Sequence, residues 1–266
     1  MTKTFADCGL ILTTGPIATL TLNRPDRRNA MTNAMWQALP EICDHIQADA
    51  SIRALILRGA GEKAFCAGAD ISEFESVYAT PDATASYNAA VRLAQERLRE
   101  LSCPTLAVIS GACFGGGCGL ALACDLRFAN ASARFAITPA RLGLAYSPAD
   151  TWQVIEKVGL SRAKDILFSG RVLTPEEALS YGLIDWLEAD VEAAAQNYAA
   201  SLVNLAPGAI RAIKTIANGL GQPAIDPLMQ EIFNTTFSSA EFHEGTKAFL
   251  EKRAPNFNTY YDKESE

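Results

Sequence analysis

Histidine is nearly missing. His45 and His243 are the only two, far apart, and each falls in a helical pattern at a position expected to be exposed. This argues against multi-histidine metal sites and histidine-assisted nucleophiles. Of the seven cysteines (8, 43, 66, 103, 113, 118, 124), no two are spaced C-x-x-C and the number is odd, so neither a disulfide framework nor a structural zinc site is expected. No apolar run approaches the roughly 18 residues of a membrane span. The N-terminal MTKTFADCGLILTT lacks the charged-then-apolar layout of a signal peptide. Lys and Arg number 23 against 30 Asp and Glu, a net charge of -7 without any basic tract, so no nucleic-acid partner is expected. Three nucleotide and acyl-transfer signatures are absent too. Gly111-x4-Gly116 is followed by Gly117-Cys118 rather than Lys-Ser/Thr, position 120 is Leu where G-x-G-x-x-G needs glycine, and G-x-S-x-G is nowhere found. What remains is a chain expected to be soluble, reduced and cytoplasmic. At 266 residues, 49% hydrophobic and 20% charged, it is large enough for one α/β domain or a core with an appendage.

The first half alternates short strand-like runs with helical ones. Ile17 to Leu22 alternates apolar and small polar residues and stops at Asn23-Arg24-Pro25-Asp26, a strand ending in a turn. Thr32 to Ala48 spaces Met35, Leu39, Ile42 and Ile46 as one helix face, with Pro40 expected to kink or break it. Ala54 to Leu57 and Thr105 to Ile109 read as strands buried on both faces. Helical patterns follow at 83–101, 120–123, 148–158, 161–168, 175–181 and 190–204, then from 207 to 252, with strands near 125–129 and 134–137. The pattern predicts a βαβ core with a helical C-terminal extension.

Two segments carry a chemical message. Lys63-Ala64-Phe65-Cys66-Ala67-Gly68-Ala69-Asp70-Ile71 and Gly111 to Ala121, with Gly115-Gly116-Gly117 inside it, are both strand-to-helix junctions rich in small residues. Glycine admits a ligand atom close to the backbone, and a helix start offers unpaired N–H groups. Two such junctions facing one another would make an oxyanion hole. Tight packing of helix on strand accounts for the same glycines, and spacing alone leaves both open.

The chain resembles the crotonase (enoyl-CoA hydratase/isomerase) superfamily. The resemblance is carried by Leu22-Asn23-Arg24-Pro25 with Asn29-Ala30, by the two glycine-bearing segments, by Cys124-Asp125, Leu142-Gly143-Leu144 and Gly182-Leu183-Ile184-Asp185, and by Glu251 to Phe257. It implies an α/β fold, a crotonase-like spiral of β-β-α units over residues 1–195, and a C-terminal helical region, 196–266, used in trimer formation. The ligand it implies is an acyl-CoA thioester, coenzyme A arriving as part of the substrate with no separate cofactor. By position, the oxyanion-hole N–H groups would be those of Ala69 and Gly116. Ala67, Gly68, Ala69, Asp70 and Ile71 would line the adenine pocket. Asn23 to Arg28 and Lys252 would lie near the CoA phosphates, Lys252 serving its own or a neighbouring subunit; the local basic side chains Arg24, Arg27, Arg28 and Lys63 agree, though solvated surface charge accounts for each of them equally well. Homotrimers, or trimers paired into hexamers, are implied as well. Ile232, Phe233, Phe237, Phe242 and Phe249 agree, offering more apolar surface than a peripheral extension readily buries alone.

The acid/base half departs from that pattern. Hydratases of the family hold water between two glutamates, and the corresponding positions here are Gly119 and Pro139; the aspartate some isomerases and hydrolases use falls on Ser147. The carboxylate next along the chain is Asp150, in Tyr146-Ser147-Pro148-Ala149-Asp150. It reads either as a displaced general base with Tyr146 as hydrogen-bonding neighbour, or as part of a helix cap with Ser147 at N-cap and Pro148 at N1. Glu73 and Glu75 are expected to face solvent at a helix start, and Cys66, Cys113 and Cys118 to act as small hydrophobes. The functions that follow are an acyl-CoA lyase or isomerase, a hydrolase or other enolate chemistry within the same family, or a non-catalytic acyl-CoA-binding subunit.

Overall fold

Strand pairing repeats a single unit three times. In a computed structural model that describes residues 2–5, 9–220 and 227–256, β4 (Ala54–Gly59) and β5 (Ala64–Cys66) precede the helix α3 (Pro81–Arg99). β6 (Thr105–Ile109) and β7 (Ala112–Phe114) precede α4 (Gly116–Ala123), and β8 (Leu126–Ala129) and β9 (Arg134–Ala136) precede α5 (Pro148–Val158). The first strand of each pair joins a large sheet and the second a small one, so β5, β7 and β9 form a three-stranded parallel sheet of their own. The large sheet runs β1 (Thr2–Phe5), β2 (Leu10–Thr13), β3 (Ile17–Leu22), β4, β6, β8, β10 (Trp186–Leu187), antiparallel up to β3 and parallel beyond it. This is the expected α/β spiral of β-β-α units.

Local sequence explains most elements. β6 is buried at every residue, as its uninterrupted apolar run requires, while β3 alternates. α1 (Asn33–Ala48) buries Met35, Trp36, Leu39, Ile42, Cys43 and Ile46. It is not broken at Pro40: the ring removes one N–H, and the buried face holds the helix through it. α4 buries everything from Gly117 to Ala123, packed against α3 and α5 and against β5, β7 and β8. Beyond α5, α6 (Leu160–Ser169), α7 (Pro175–Tyr181), α8 (Val191–Val203), α9 (Pro207–Leu220), α10 (Pro227–Thr236) and α11 (Ala240–Leu250) complete the chain; the short α2 is Phe74–Val77. α8 covers the large sheet, packing Val191, Ala195 and Ala199 on Ile56, Leu106, Val108 and Phe128.

The C-terminal aromatics act within their own chain. Phe233, Phe237 and Phe242 are buried, and Tyr78 meets the Phe237 ring at 4.8 Å and the Phe242 ring at 5.1 Å. The expected surplus of apolar surface is thereby reduced to Ile232 and Phe249, which are exposed together with Ile213, Ile216 and Leu250. Among the described residues no helix is long and apolar enough to cross a membrane. Cys8 and the end of the Glu251–Phe257 motif lie outside the described residues.

Candidate active site

β5 and β7 are paired neighbours, so the loops leaving their carboxyl ends emerge side by side. One loop carries Ala67 to Ile71 and the other Gly115 and Gly116, both lining a cavity of about 600 Å³. Glycine is obligatory at two points of this junction. Gly115 sits at φ 50° and ψ -115°, which an L side chain rarely adopts. Gly117 lies so close to β5 that a Cβ there would overlap the Cys66 carbonyl. Packing thus accounts for Gly117. At Gly116 an added Cβ would overlap nothing, standing 3.3 Å from Trp36 Cζ2, a tight contact, and 3.7 Å from the nitrogen of Ala69, both residues of the cavity wall.

The amide N–H groups of Ala69 and Gly116 donate to none of the described residues. Their peptide carbonyls, by contrast, are anchored from behind. Met31 N–H donates to the Gly68 carbonyl at 2.8 Å. The Tyr146 hydroxyl donates to the Gly115 carbonyl at 3.1 Å, as does Gly119 N–H at 3.2 Å. In a trans peptide the N–H points opposite to the C=O, so pinning each carbonyl aims each N–H. Two residues before Met31, Asn29 is buried and in the left-handed region at φ 56°, and its Nδ2 donates to the Ala60 and Ala64 carbonyls at 3.0 and 2.7 Å.

Asp150 lines the same cavity. Its backbone N–H donates to Ser147 Oγ at 3.0 Å, and the Ser147 hydroxyl donates to Asp150 Oδ2 at 2.7 Å, so the expected cap is present. Yet the residue is 4% exposed and lines the cavity, and among the described residues Oδ1 has no partner at hydrogen-bond geometry. Burial raises its pKa to about 6, opposed by the Ser147 hydroxyl, the charge of Arg99 and the Gln95 amide. Tyr146 does not bond Asp150, since its hydroxyl is committed to Gly115; burial, with the Asp150 charge added, raises its pKa well above the ordinary value. Burial also pushes the Cys66 thiol up to about 12, so Cys66 carries no thiolate near neutral pH.

A model of the enoyl-CoA hydratase/isomerase family matches residues 13–260. The chain belongs to the enoyl-CoA hydratase/isomerase family. It is 32% identical over 244 residues to a short-chain-enoyl-CoA hydratase of Clostridium acetobutylicum, covering 90% of this chain and 93% of that one. It is 33% identical over 253 residues to the 1,2-epoxyphenylacetyl-CoA isomerase of Escherichia coli, covering 91% and 94%. A crystal structure of an enoyl-CoA hydratase/isomerase family protein from Hyphomonas neptunium superposes with a TM-score of 0.78 at 39% identity, over 94% of this chain and 97% of that one. Hydratase and isomerase relatives at equal distance define a common scaffold and leave the reaction to the residues of the site.

Within this enoyl-CoA hydratase/isomerase chain, Ala67, Gly68, Ala69, Ile71, Gly116, Tyr146 and Asp150 come together around the cavity. Arg27 and Arg28 are exposed beside it, where the Arg28 carbonyl accepts from Ala67 N–H at 3.0 Å. Asp70 stands just outside, paired with Arg24 at 2.9 Å. Burial opposes ionisation of Asp70, but the Ser72 hydroxyl and Arg24 outweigh it and hold its pKa low. Arg24 also donates to the Ala30 carbonyl at 2.6 Å, so its guanidinium is engaged by groups of its own chain. Lys252 is exposed at the end of α11, in the left-handed region at φ 55°, and does not line this cavity. Glu73 departs from expectation: its Oε2 accepts from Asn33 N–H at 2.7 Å and caps α1. Glu75 is exposed, as expected.

Sequence reasoning missed the far wall. Gln95, Asn88 and Tyr87 enter from α3, Phe74 and Tyr78 from α2 and its end, Phe233 from α10 and Phe237 from just past its end. Gln95 carried a usable signal, a polar residue on the buried face of α3 alongside Thr84, Tyr87, Ala94 and Leu98.

Proposed function

We propose that the protein is an acyl-CoA enzyme that seats the thioester oxygen between the N–H groups of Ala69 and Gly116 and stabilises the enolate formed when a Cα proton leaves. One observation carries this: two adjacent amides without acceptors face a largely apolar cavity, while the carbonyls of their peptides are anchored from behind. Such donors are fixed before charge develops, which is what makes an oxyanion hole effective. The acyl chain would lie among Trp36, Phe74, Tyr78 and Phe237, and the adenine along Ala67 to Ile71. The exposed Arg27 and Arg28 would meet the CoA phosphates, joined by Lys252 of the same or a neighbouring subunit in a trimer. Exposed Ile213, Ile216, Phe249 and Leu250 support such an assembly. With coenzyme A carried by the substrate, no further cofactor enters this chemistry.

Gly119 and Pro139 stand where the family resemblance implies the two water-holding glutamates. The proposed reaction is therefore proton transfer through an enolate, such as isomerisation, rather than simple hydration. Isothermal titration with a panel of acyl-CoA thioesters tests the ligand class. Micromolar binding supports it, and no binding below millimolar concentration contradicts it. Hydration of crotonyl-CoA at an ordinary enzymatic rate, on the order of 10 per second, would contradict the assigned reaction type alone.

A further inference from the structure

Position 119 shows what has taken the place of a missing side chain. A Cβ built on Gly119 would overlap Gln95 Nε2 and stand 2.9 Å from Asp150 Oδ1. The volume beside α4 is filled by groups delivered from two other helices, an amide from α3 and a carboxylate from α5. The cap accounts for the Asp150 N–H and for Oδ2. It does not account for Oδ1, an ionisable oxygen buried on the wall of the cavity that the Ala69 and Gly116 amides share, with the Gln95 amide beside it and no partner at hydrogen-bond geometry among the described residues. Capping needs no such burial, because a carboxylate at a helix start serves equally well in water. A buried polar atom left bare costs stability, and a cavity lined by such atoms is where chemistry is to be sought.

We infer that Asp150 is the proton-transfer residue of this site, brought by α5 to the place that a side chain on α4 at 119 would otherwise occupy, with Gly119 making room for it and Gln95 positioning it. This deepens the proposed function and rests on it. The step is balanced without any co-reactant. The Cα–H bond breaks as an O–H bond forms at Asp150 Oδ1, and the electron pair of the C–H bond moves into the enolate held at Ala69 and Gly116. Asp150 then returns the proton to carbon. The charged and titratable groups around Asp150 are Arg99, Arg92 and Glu96 on α3, Tyr146 before α5, and Cys118 on α4; α10 adds the neutral Gln230 and Asn234.

Exchange of the α-protons of butyryl-CoA and phenylacetyl-CoA in D2O, followed by proton NMR, tests this without knowledge of the physiological acyl group. The wild-type protein should exchange them, with a rate that rises with pH and levels off above about 6 as the basic form of Asp150 accumulates. Asp150→Asn keeps the cap and the shape. It should bind both thioesters with unchanged affinity by isothermal titration, and its exchange should fall at least about 100-fold. Gly119→Ala, which must displace Gln95 or Asp150, should also lower exchange with binding retained. If Asp150→Asn exchanges as fast as wild type, or the wild type binds without exchanging, the assignment of Asp150 is overturned and the thioester site stands. If neither thioester binds, the proposed function falls, and this assignment with it.

Discussion

The Tyr146 hydroxyl donates to the carbonyl of Gly115 across 3.1 Å, and that carbonyl belongs to the same peptide as the Gly116 N–H. Together with the bond from Gly119 N–H, this hydrogen bond fixes the plane of the donor and strengthens it, because an amide whose oxygen is hydrogen-bonded is a better N–H donor. Tyr146→Phe removes the bond and leaves the cavity's shape. Gly119 N–H still holds the carbonyl, so the expected loss is about 1 kcal/mol. Steady-state kinetics should show kcat down about 2- to 10-fold, with KM little changed. A KM effect alone would mean that Tyr146 contacts substrate directly.

Gly116→Val places a branched side chain between the Trp36 ring and the Ala69 amide. Only ring atoms of Trp36 and that amide lie near its Cβ, so the fold should survive, with a circular-dichroism spectrum and melting temperature near those of wild type. Valine keeps the backbone N–H but puts its methyl groups where the thioester oxygen would sit, so thioester turnover should fall by about 100-fold or more, as when an oxyanion-hole contact is broken. A variant that melts early but retains activity per folded molecule would return Gly116 to a packing role.

Asp150→Asn should stabilise the protein while abolishing proton transfer. Burial raises the folded-state pKa to about 6, against about 3.9 in the unfolded chain. The folded state thus holds the proton more tightly, and wild-type stability falls as pH rises between those values. Above about pH 6 the buried charge costs up to about 3 kcal/mol, which the neutral amide avoids. Thermal melts should show the variant well above wild type at pH 8 and level with it below about pH 4. A variant less stable than wild type at pH 8 would mean the carboxylate is satisfied when charged.

Motif residues were legible from the sequence where their surroundings are local. The Ala69 and Gly116 segments, the strands and the buried α4 all follow from runs of a few residues, and the cap at Ser147 from a tetrapeptide. Asp150 was only half legible, because its burial depends on Gln95 and on the absence of a side chain at 119, both distant in the chain. The cap on α1 supplied by Glu73 was missed for the same reason. Phe233, Phe237 and Phe242 looked like material for a partner, since no local pattern reveals that Phe74 and Tyr78 wait to receive them.

Asp185 shows that a family motif can be structural. Its carboxylate meets the Arg127 guanidinium at 2.6 Å and accepts the Arg127 N–H at 2.7 Å, and Arg127 is 2% exposed. Asp185→Ala leaves that cation buried with only carbonyl partners, Cys124 and Asp125. Denaturant titration should show a loss of about 3–5 kcal/mol, with activity per folded molecule retained. A loss under 1 kcal/mol would mean that water replaces the carboxylate.

The carbonyl 13C resonance of [1-13C]butyryl-CoA bound to the protein tests the central claim most directly, because it reports polarisation of the thioester itself. Two preorganised N–H donors should move it downfield on binding to wild type, and binding to Gly116→Val should largely remove the displacement. A bound thioester whose carbonyl resonates where it does in free solution would contradict the assignment of Ala69 and Gly116.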